Sequence, residues 1–260
     1  MEAYLADRKR IVADHERLTN AWKRLHPTFG ALRPDQITRE LCQQYRAMRK
    51  VSDGTILKEL GTLRAGIRWF DPTAKAIFEM PSTPPARDRF LSQDEARALE
   101  AACRQPHVRL FVVLALTTAA RKQAIFDLVW DRVDFDRGII RLATGEGRMK
   151  GRAAVPLHDK ARPLLLEARR AAVSDYVIEV AGKPIRSIRT GFDAACARAN
   201  LRGVTPHVLR HTAAVWMAEG GTPMSEIAQY LGHSDSRITE RVYARYSPDH
   251  LRRAAAAIRW

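Results

Sequence analysis

The sequence predicts a mainly α-helical protein that carries a small antiparallel β-sheet. Apolar residues recur at helical spacing through residues 1–70 and through most of residues 91–260, whereas a convincing strand pattern occurs only once. A stretch rich in proline and arginine, residues 71–90, interrupts the helical pattern. We therefore expect two domains, residues 1–80 and 91–260, joined by a linker over residues 81–90.

The charge balance is strongly basic. The 260 residues include 44 lysines and arginines against 29 acidic residues, which gives a net charge of +15 and a pI near 10.3. The apolar fraction of 46% is that of an ordinary folded chain. Nucleic acid is the commonest partner of so basic a protein, and a basic protein without such a ligand is the alternative.

The cysteines and the apolar runs indicate the compartment. Cys42, Cys103 and Cys196 are odd in number and widely spaced, which predicts reduced thiols without disulfides or a zinc cluster. No leader pattern opens the chain, and no apolar run reaches the length of a membrane span. We expect a cytoplasmic protein of a bacterium or phage that does not contact a membrane.

Three helices are expected before the linker. An apolar stripe from Tyr4 ends at His26–Pro27 and predicts the first, and spacing of four from Ile37 to Tyr45 predicts the second. The third spans Ile56 to Ile67, and its other face carries basic residues. These are Lys58, Arg64 and Arg68. A solvated surface and a DNA-binding face both fit this pattern.

The linker and the start of the second domain also carry arginines. Arg87 and Arg89 lie in the linker, which suits a chain that crosses DNA between domains and equally suits a plain hinge. Ser92 and Glu95 form a capping-box pattern at the start of a helix. Arg121 directly follows the apolar run Val108–Thr118, so a buried helix would hold it rigidly, although an ordinary surface cation fits as well.

The strand pattern comes next. Residues 139–143 and 153–157 flank a basic, glycine-rich turn over residues 144–152, which predicts a β-hairpin. The turn carries three cations, Arg148, Lys150 and Arg152. Helices are then expected over 164–172 and 188–199, and Arg186 and Arg189 near the second one are candidates for contacts to DNA.

The residues with the clearest chemistry lie near the end of the chain. Thr205 and Pro206 are suited to begin a helix, and His207 and Arg210 then share a face near its positive end. His233 and Tyr243 follow, so the segment has the groups to bind a phosphate and supply a nucleophile.

A metal site is a weaker interpretation of these histidines. His207 and His211 stand four apart, as zinc ligands often do, but no glutamate of an HExxH motif lies between them. Arg210 would also repel a metal ion. A position in the core is the simpler interpretation of His211.

Arg121, a lysine in a β-turn, His207-x-x-Arg210, Leu231-Gly232-His233 and a later tyrosine occur in one fixed order. That order strongly resembles the tyrosine recombinases of the phage integrase family. The ending Tyr-Ala-Arg-Tyr-Ser-Pro-Asp is similar to the family's Tyr-Ala-His-Leu-Ser-Pro-Glu type. The resemblance implies a helical, SAM-like core-binding domain followed by an α+β catalytic domain.

The resemblance also implies a role for each residue. The catalytic set would be Arg121, Lys150, His207, Arg210, His233 and Tyr243. Tyr243 would be the nucleophile, with Tyr246 as the alternative, and His207 would assist removal of its proton. Two positions depart from the family pattern: Ala120 replaces a glycine before the first arginine, and Ala124 replaces an acid that braces the site. The spacing from His233 to Tyr243 is one residue longer than is common.

The implied function is site-specific DNA recombination through a 3′-phosphotyrosine, for integration or excision of a mobile element. The partners would be double-stranded DNA, three further copies in a homotetramer, and a possible accessory protein that bends DNA or sets directionality. No cofactor or metal is implied. A topoisomerase of type IB and a DNA-binding relative with impaired catalysis are the alternatives.

Overall fold

The computed structural model of the chain describes residues 1–12, 14–83, 88–142, 153–248 and 251–258. The chain divides into two compact units, Met1–Arg87 and Asp88–Trp260, here called unit 1 and unit 2. Both are mainly helical, and the strands are few and antiparallel, as the sequence predicted. No helix in these ranges is long and apolar enough to cross a membrane.

Unit 1 consists of four helices around one apolar core. These are α1 (Glu2–Lys9), α2 (His15–Phe29), α3 (Arg39–Met48) and α4 (Asp53–Phe70), and a short 3₁₀ turn (Pro34–Gln36) precedes α3. The prediction of one continuous first helix was wrong. Asp14 begins a new helix because its side chain accepts a hydrogen bond from the Arg17 amide at 3.2 Å.

The end of α2 also differs from the prediction. The helix continues past Pro27 to Phe29, although proline lacks the amide that would bond to the Lys23 carbonyl. Phe29 is buried, and its ring packs edge-on against Tyr45 with centroids 5.2 Å apart. Burial of this ring favours the additional turn.

A buried polar cluster joins α3 to α4. The Glu59 carboxylate accepts hydrogen bonds from the Tyr45 hydroxyl at 2.7 Å and from Arg49 Nη2 at 2.7 Å. Burial, followed by the bond to Glu59, raises the pKa of Tyr45. The cluster fixes how α3 and α4 meet, because each group would lie unpaired in the core without the others.

Replacing Glu59 with glutamine is expected to destabilise unit 1 by about 1–3 kcal/mol, because an amide cannot accept both charge-assisted hydrogen bonds. Faster amide hydrogen exchange in α3 and α4 measures this loss. The matched control is Glu79→Gln, an exposed carboxylate that accepts one hydrogen bond from Gln43, which should change stability by less than about 0.5 kcal/mol. Equal effects of the two substitutions would contradict the role of the cluster.

Unit 2 surrounds the long apolar helix that the sequence predicted. Its helices are α5 (Gln93–Ala101), α6 (Pro106–Thr118), α7 (Lys122–Phe126), α8 (Ala161–Ala171), α9 (Arg189–Arg198), α10 (Pro206–Glu219), α11 (Met224–Leu231), α12 (Ser236–Tyr243) and α13 (Arg252–Ala257). The predicted capping box at Ser92 and Glu95 is present, with reciprocal hydrogen bonds of 3.1 and 2.9 Å. Eight of the 13 residues of α6 are buried, and the helix packs against α10.

The strands form two small sheets. The predicted hairpin is confirmed as β2 (Ile139–Leu142) paired with β3 (Ala153–Pro156), with Ile140 opposite Val155. The sequence did not reveal β1 (Val133–Asp134) beside β2, or the pair β4 (Glu179–Val180) and β5 (Lys183–Pro184). Strands of two residues are too short to show an alternating pattern.

The three cysteines are free thiols. Cys42 and Cys196 are buried, and Cys103 is half-buried. Burial raises the pKa of Cys103 and of Cys196 to about 11, so both remain protonated at neutral pH. These properties are those of inert core residues.

Candidate active site

The site begins where α6 ends. Ala119 follows the helix in a left-handed conformation, with φ of +50°, and is fully buried. Arg121 then occupies the position just before the short helix α7 without capping it, and its side chain is exposed without a partner among the described residues. The left-handed conformation that favours glycine therefore occurs at Ala119, two residues before Arg121. The family resemblance had placed the replaced glycine at Ala120.

Helix α10 carries the central pair. Thr205 caps the helix by accepting a hydrogen bond from the Val208 amide, and Pro206 occupies the first turn, as predicted. His207 lies exposed on that turn. Arg210 is buried, with 5% of its surface exposed, so the two residues differ sharply in access to solvent.

Three acceptors hold the Arg210 guanidinium in place. It donates to the Ala119 carbonyl at 2.6 Å, to the Leu231 carbonyl at 2.9 Å and to His233 Nε2 at 3.0 Å. A guanidinium has five N–H donors, so two remain without a partner among the described residues. Arg210 is thus rigidly placed and still able to bind an anion.

His233 has a defined tautomer in this arrangement. Because Arg210 can only donate, Nε2 of His233 must accept, and the ring proton lies on Nδ1. That proton is donated to the hydroxyl of Thr239, a fully buried residue of α12, at 2.8 Å. Thr239 therefore orients His233, a role that no sequence motif indicates.

The electrostatics of the site favour an anion. Burial, and then repulsion by Arg121, lowers the pKa of Arg210 to about 10, which leaves it charged at neutral pH. Burial followed by the charges of Arg210 and Arg121 also lowers the pKa of the half-buried His233. No carboxylate among the described residues pairs with either arginine. A phosphate would relieve the repulsion between them.

Ala124 is where the family resemblance expects an acid. It is buried on α7 within the apolar core of unit 2. Arg210 is instead oriented by the two backbone carbonyls and His233 described above. No other described residue takes the place of that acid beside Arg121, which is exposed without a partner among the described residues.

Tyr243 lies at the end of α12 and is largely buried, with 7% of its surface exposed. Its hydroxyl lies 3.3 Å from Nδ1 of His211. Burial raises the pKa of Tyr243, and the charge of Arg210 acts in the opposite direction. The phenol is therefore protonated and sheltered, within electrostatic reach of Arg210.

Tyr246 has a different environment. Its hydroxyl donates to Asp88 at 2.7 Å, and its ring packs edge-on against Phe90 with centroids 5.5 Å apart. Arg245 also pairs with Asp88. Because the Tyr246 hydroxyl is already hydrogen-bonded to a carboxylate, Tyr246 serves to hold this part of the chain in place. Tyr243 remains the better candidate nucleophile. Asp88 was missed because it lies between arginines in a linker without periodic pattern.

Three of the candidate DNA-binding residues lie on α4. Lys58 and Arg64 are six residues apart on α4, which places them about 120° apart around the helix, and both lie on its exposed side, away from the apolar stripe. Lys58 also lines a groove with Arg17, Arg24 and Arg49. Arg64 and Arg68 are exposed and lie on one face.

The remaining cations differ in how free they are. Arg89 is half-buried and forms a two-pronged ion pair with Glu95, at 2.9 and 2.6 Å, so it stabilises the start of α5. Arg186 is exposed, and Arg189 is exposed beside Asp193 at 3.5 Å. Four predicted residues, Arg87, Arg148, Lys150 and Arg152, lie outside the described residues.

The metal interpretation of His207 and His211 gains no support from the geometry. Within the described ranges, no three histidine, cysteine or acidic side chains come close enough to hold a metal ion. His211 faces Tyr243 through Nδ1. The arrangement instead favours binding of a phosphate by arginine beside a tyrosine hydroxyl.

Comparison with known proteins points to one family. The model of the phage integrase family matches residues 89–250. The integrase of Salmonella phage P22 is 30% identical over 211 residues, which cover 75% of this chain and 54% of that protein. The tyrosine recombinase XerA of Thermococcus kodakarensis is 29% identical, over 74% of this chain and 71% of that protein. The chain thus spans about half the length of the phage relative.

Solved structures share the fold. A λ integrase dimer bound to a COC′ core site superposes with a TM-score of 0.75 at 15% identity, over 92% of this chain and 96% of that one. The Tn1549 transposon integrase in complex with a circular intermediate DNA gives a TM-score of 0.77 at 14% identity, over 99% and 98%.

Proposed function

Because the chain belongs to the phage integrase family of tyrosine recombinases, we propose that it cleaves and rejoins specific DNA sites through a 3′-phosphotyrosine intermediate. The proposed task is integration or excision of a mobile element. The observation that supports this best is Arg210, which is buried, held by three acceptors and within electrostatic reach of Arg121 and Tyr243.

In the proposed reaction, Arg121 and the two remaining donors of Arg210 hold the non-bridging oxygens of the scissile phosphate. The Tyr243 hydroxyl gives its proton to a neighbouring base and its oxygen attacks phosphorus, while the 5′ oxygen leaves and takes a proton from Lys150. The covalent bond stores the energy of the broken linkage, so a 5′ hydroxyl can reverse the step without a metal or nucleotide. His207 adds a hydrogen bond to the phosphate, and His233 keeps the Arg210 guanidinium in place by accepting through Nε2.

We assign DNA binding to residues 1–80 together with the catalytic domain at 91–260, joined by the linker at 81–90. The net charge of +15 and the exposed arginines support double-stranded DNA as the partner. The λ and Tn1549 integrases with this fold were solved bound to DNA. A homotetramer on two sites, with or without an accessory protein, would complete the exchange.

Two other functions use a similar set of residues. A type IB topoisomerase would relax supercoils without exchanging partners, and a relative with impaired catalysis would only bind. Incubating the protein with two target sites from its own genomic neighbourhood, on one supercoiled plasmid, tests all three. Recombinant circles support the proposal, relaxation alone supports a topoisomerase, and neither product with intact binding supports the impaired relative.

DNA binding is expected to weaken steeply as salt rises. A protein that contacts six to ten phosphates loses about 10³–10⁵ in affinity between 50 and 200 mM salt. Replacing both Arg64 and Arg68 with alanine should lower the slope of log affinity against log salt by about two, because each lost phosphate contact lowers it by about one. Fluorescence anisotropy with a labelled duplex measures the slope.

The control for this experiment is Arg33→Ala. Arg33 is exposed in unit 1 but already pairs with Asp35 at 3.2 Å, so its loss should leave the slope unchanged. An unchanged slope in the Arg64 and Arg68 variant would place the DNA on another face of unit 1. The groove beside Lys58 is then the next surface to test.

A further inference from the structure

One histidine beside the site has no role in the reaction described above. His211 follows Arg210 on α10 and is buried, with Nδ1 lying 3.3 Å from the hydroxyl of Tyr243. The two rings are in contact, with centroids 5.3 Å apart. Within the described part of the chain this hydroxyl is the only hydrogen-bonding partner of the ring, because Nε2 is buried without one.

We propose that His211 is the proton acceptor for Tyr243, a role that rests on the recombinase function proposed above. During cleavage the O–H bond of Tyr243 breaks, and its proton moves to Nδ1 of His211. The phenolic oxygen bonds to phosphorus, the bond from phosphorus to the 5′ oxygen breaks, and that oxygen takes a proton from Lys150. Religation runs in reverse: His211 returns its proton to the departing phenol, and Lys150 regains its own.

The contacts favour His211 over His207 for this step. Among the described residues, no hydrogen bond joins His207 to Tyr243, and His207 is exposed on the first turn of α10. Proton transfer requires the acceptor within hydrogen-bonding reach of the donor. The family resemblance gave the task to His207, and the structure places His211 against the phenol instead.

The surroundings of His211 suit a group that changes charge. A buried ring nitrogen without a partner costs stability, so a purely structural residue here would more naturally be apolar. Burial lowers the pKa of His211, which keeps it neutral and ready to accept, while the Asp88 carboxylate opposes that effect and favours the protonated form. His207 on the same helix and Arg245 favour the neutral form. The rings of Phe90 and Tyr246 pack against it.

The test replaces His211 with asparagine, whose amide keeps a polar atom near the position of Nδ1 but cannot take up a proton. Single-turnover cleavage of a nicked duplex should slow by about 10²-fold or more. The remaining rate should keep rising with pH towards ionisation of the phenol, whereas the wild-type rate should level off once the pH exceeds the lowered pKa of His211. His158→Asn, the same change at an exposed histidine outside the site, should cleave at the wild-type rate.

The possible outcomes distinguish the role of His211 as proton acceptor from the recombinase function on which it rests. Wild-type protein that forms no covalent adduct overturns both proposals. Wild-type adduct formation together with normal cleavage, or an unchanged pH profile, in His211→Asn overturns only the role of His211. An NMR titration needs no change at His211: its imidazole pKa should differ between wild type and Tyr243→Phe, and identical titrations would contradict the coupling.

Discussion

Replacing Tyr243 with phenylalanine is expected to abolish covalent attachment of the protein to DNA. The ring is 7% exposed and packs in an apolar cluster, so loss of one oxygen leaves the packing intact while removing the nucleophile. By analogy with the loss of a nucleophile in a hydrolase, the rate should fall on the order of 10⁶-fold, to background. A nicked duplex traps the adduct because the strand beyond the nick diffuses away, and denaturing gel electrophoresis then detects it.

Tyr246→Phe is the matched control, three residues further along the chain. It removes the hydrogen bond to Asp88 but should leave adduct formation in place, with a loss of stability of about 1 kcal/mol. An adduct that persists in Tyr243→Phe and disappears in Tyr246→Phe would transfer the nucleophile to Tyr246. Non-covalent binding of the duplex, measured alongside, shows that both variants still engage DNA.

The sequence was most informative where function demands particular residue types. Arg210 and Tyr243 could be proposed because residue type and spacing alone indicate their chemistry, without knowledge of their neighbours. The long helix α6 and the hairpin of β2 and β3 were predicted because their apolar patterns extend over several residues. In each case the signal is local, so one unaligned sequence is enough to show it.

What the sequence could not show depends on contacts between distant segments. The bond from Thr239 to His233 and the contact from His211 to Tyr243 join helices whose packing no spacing rule reveals. Asp88 binds Tyr246 across more than 150 residues of chain. The left-handed conformation of Ala119 was hidden because alanine rarely adopts it, and Arg210 stabilises it by binding its carbonyl.

Arg210→Ala is expected to slow cleavage on the order of 10²–10³-fold, the typical loss when one preorganised donor to a developing negative charge is removed. Duplex binding should change little, because most phosphate contacts lie elsewhere. Stability should fall as well, since the buried carbonyls of Ala119 and Leu231 lose their donor, at about 1–3 kcal/mol for each group left unpaired. Relief from burying a charge offsets part of that cost.

The Arg210→Lys variant distinguishes the contribution of the positive charge at residue 210 from that of the planar guanidinium. A lysine keeps the positive charge, but its single ammonium cannot bind two carbonyls and His233 while also offering donors to a phosphate. If the planar fork matters, the lysine variant should cleave at a rate closer to that of alanine than to that of wild type, and His233 should titrate differently because its Nε2 loses a fixed donor. Near-wild-type cleavage by a folded Arg210→Ala protein would remove Arg210 from the reaction. Near-wild-type cleavage by Arg210→Lys alone would show that charge suffices, and that the three acceptors serve the fold more than the chemistry.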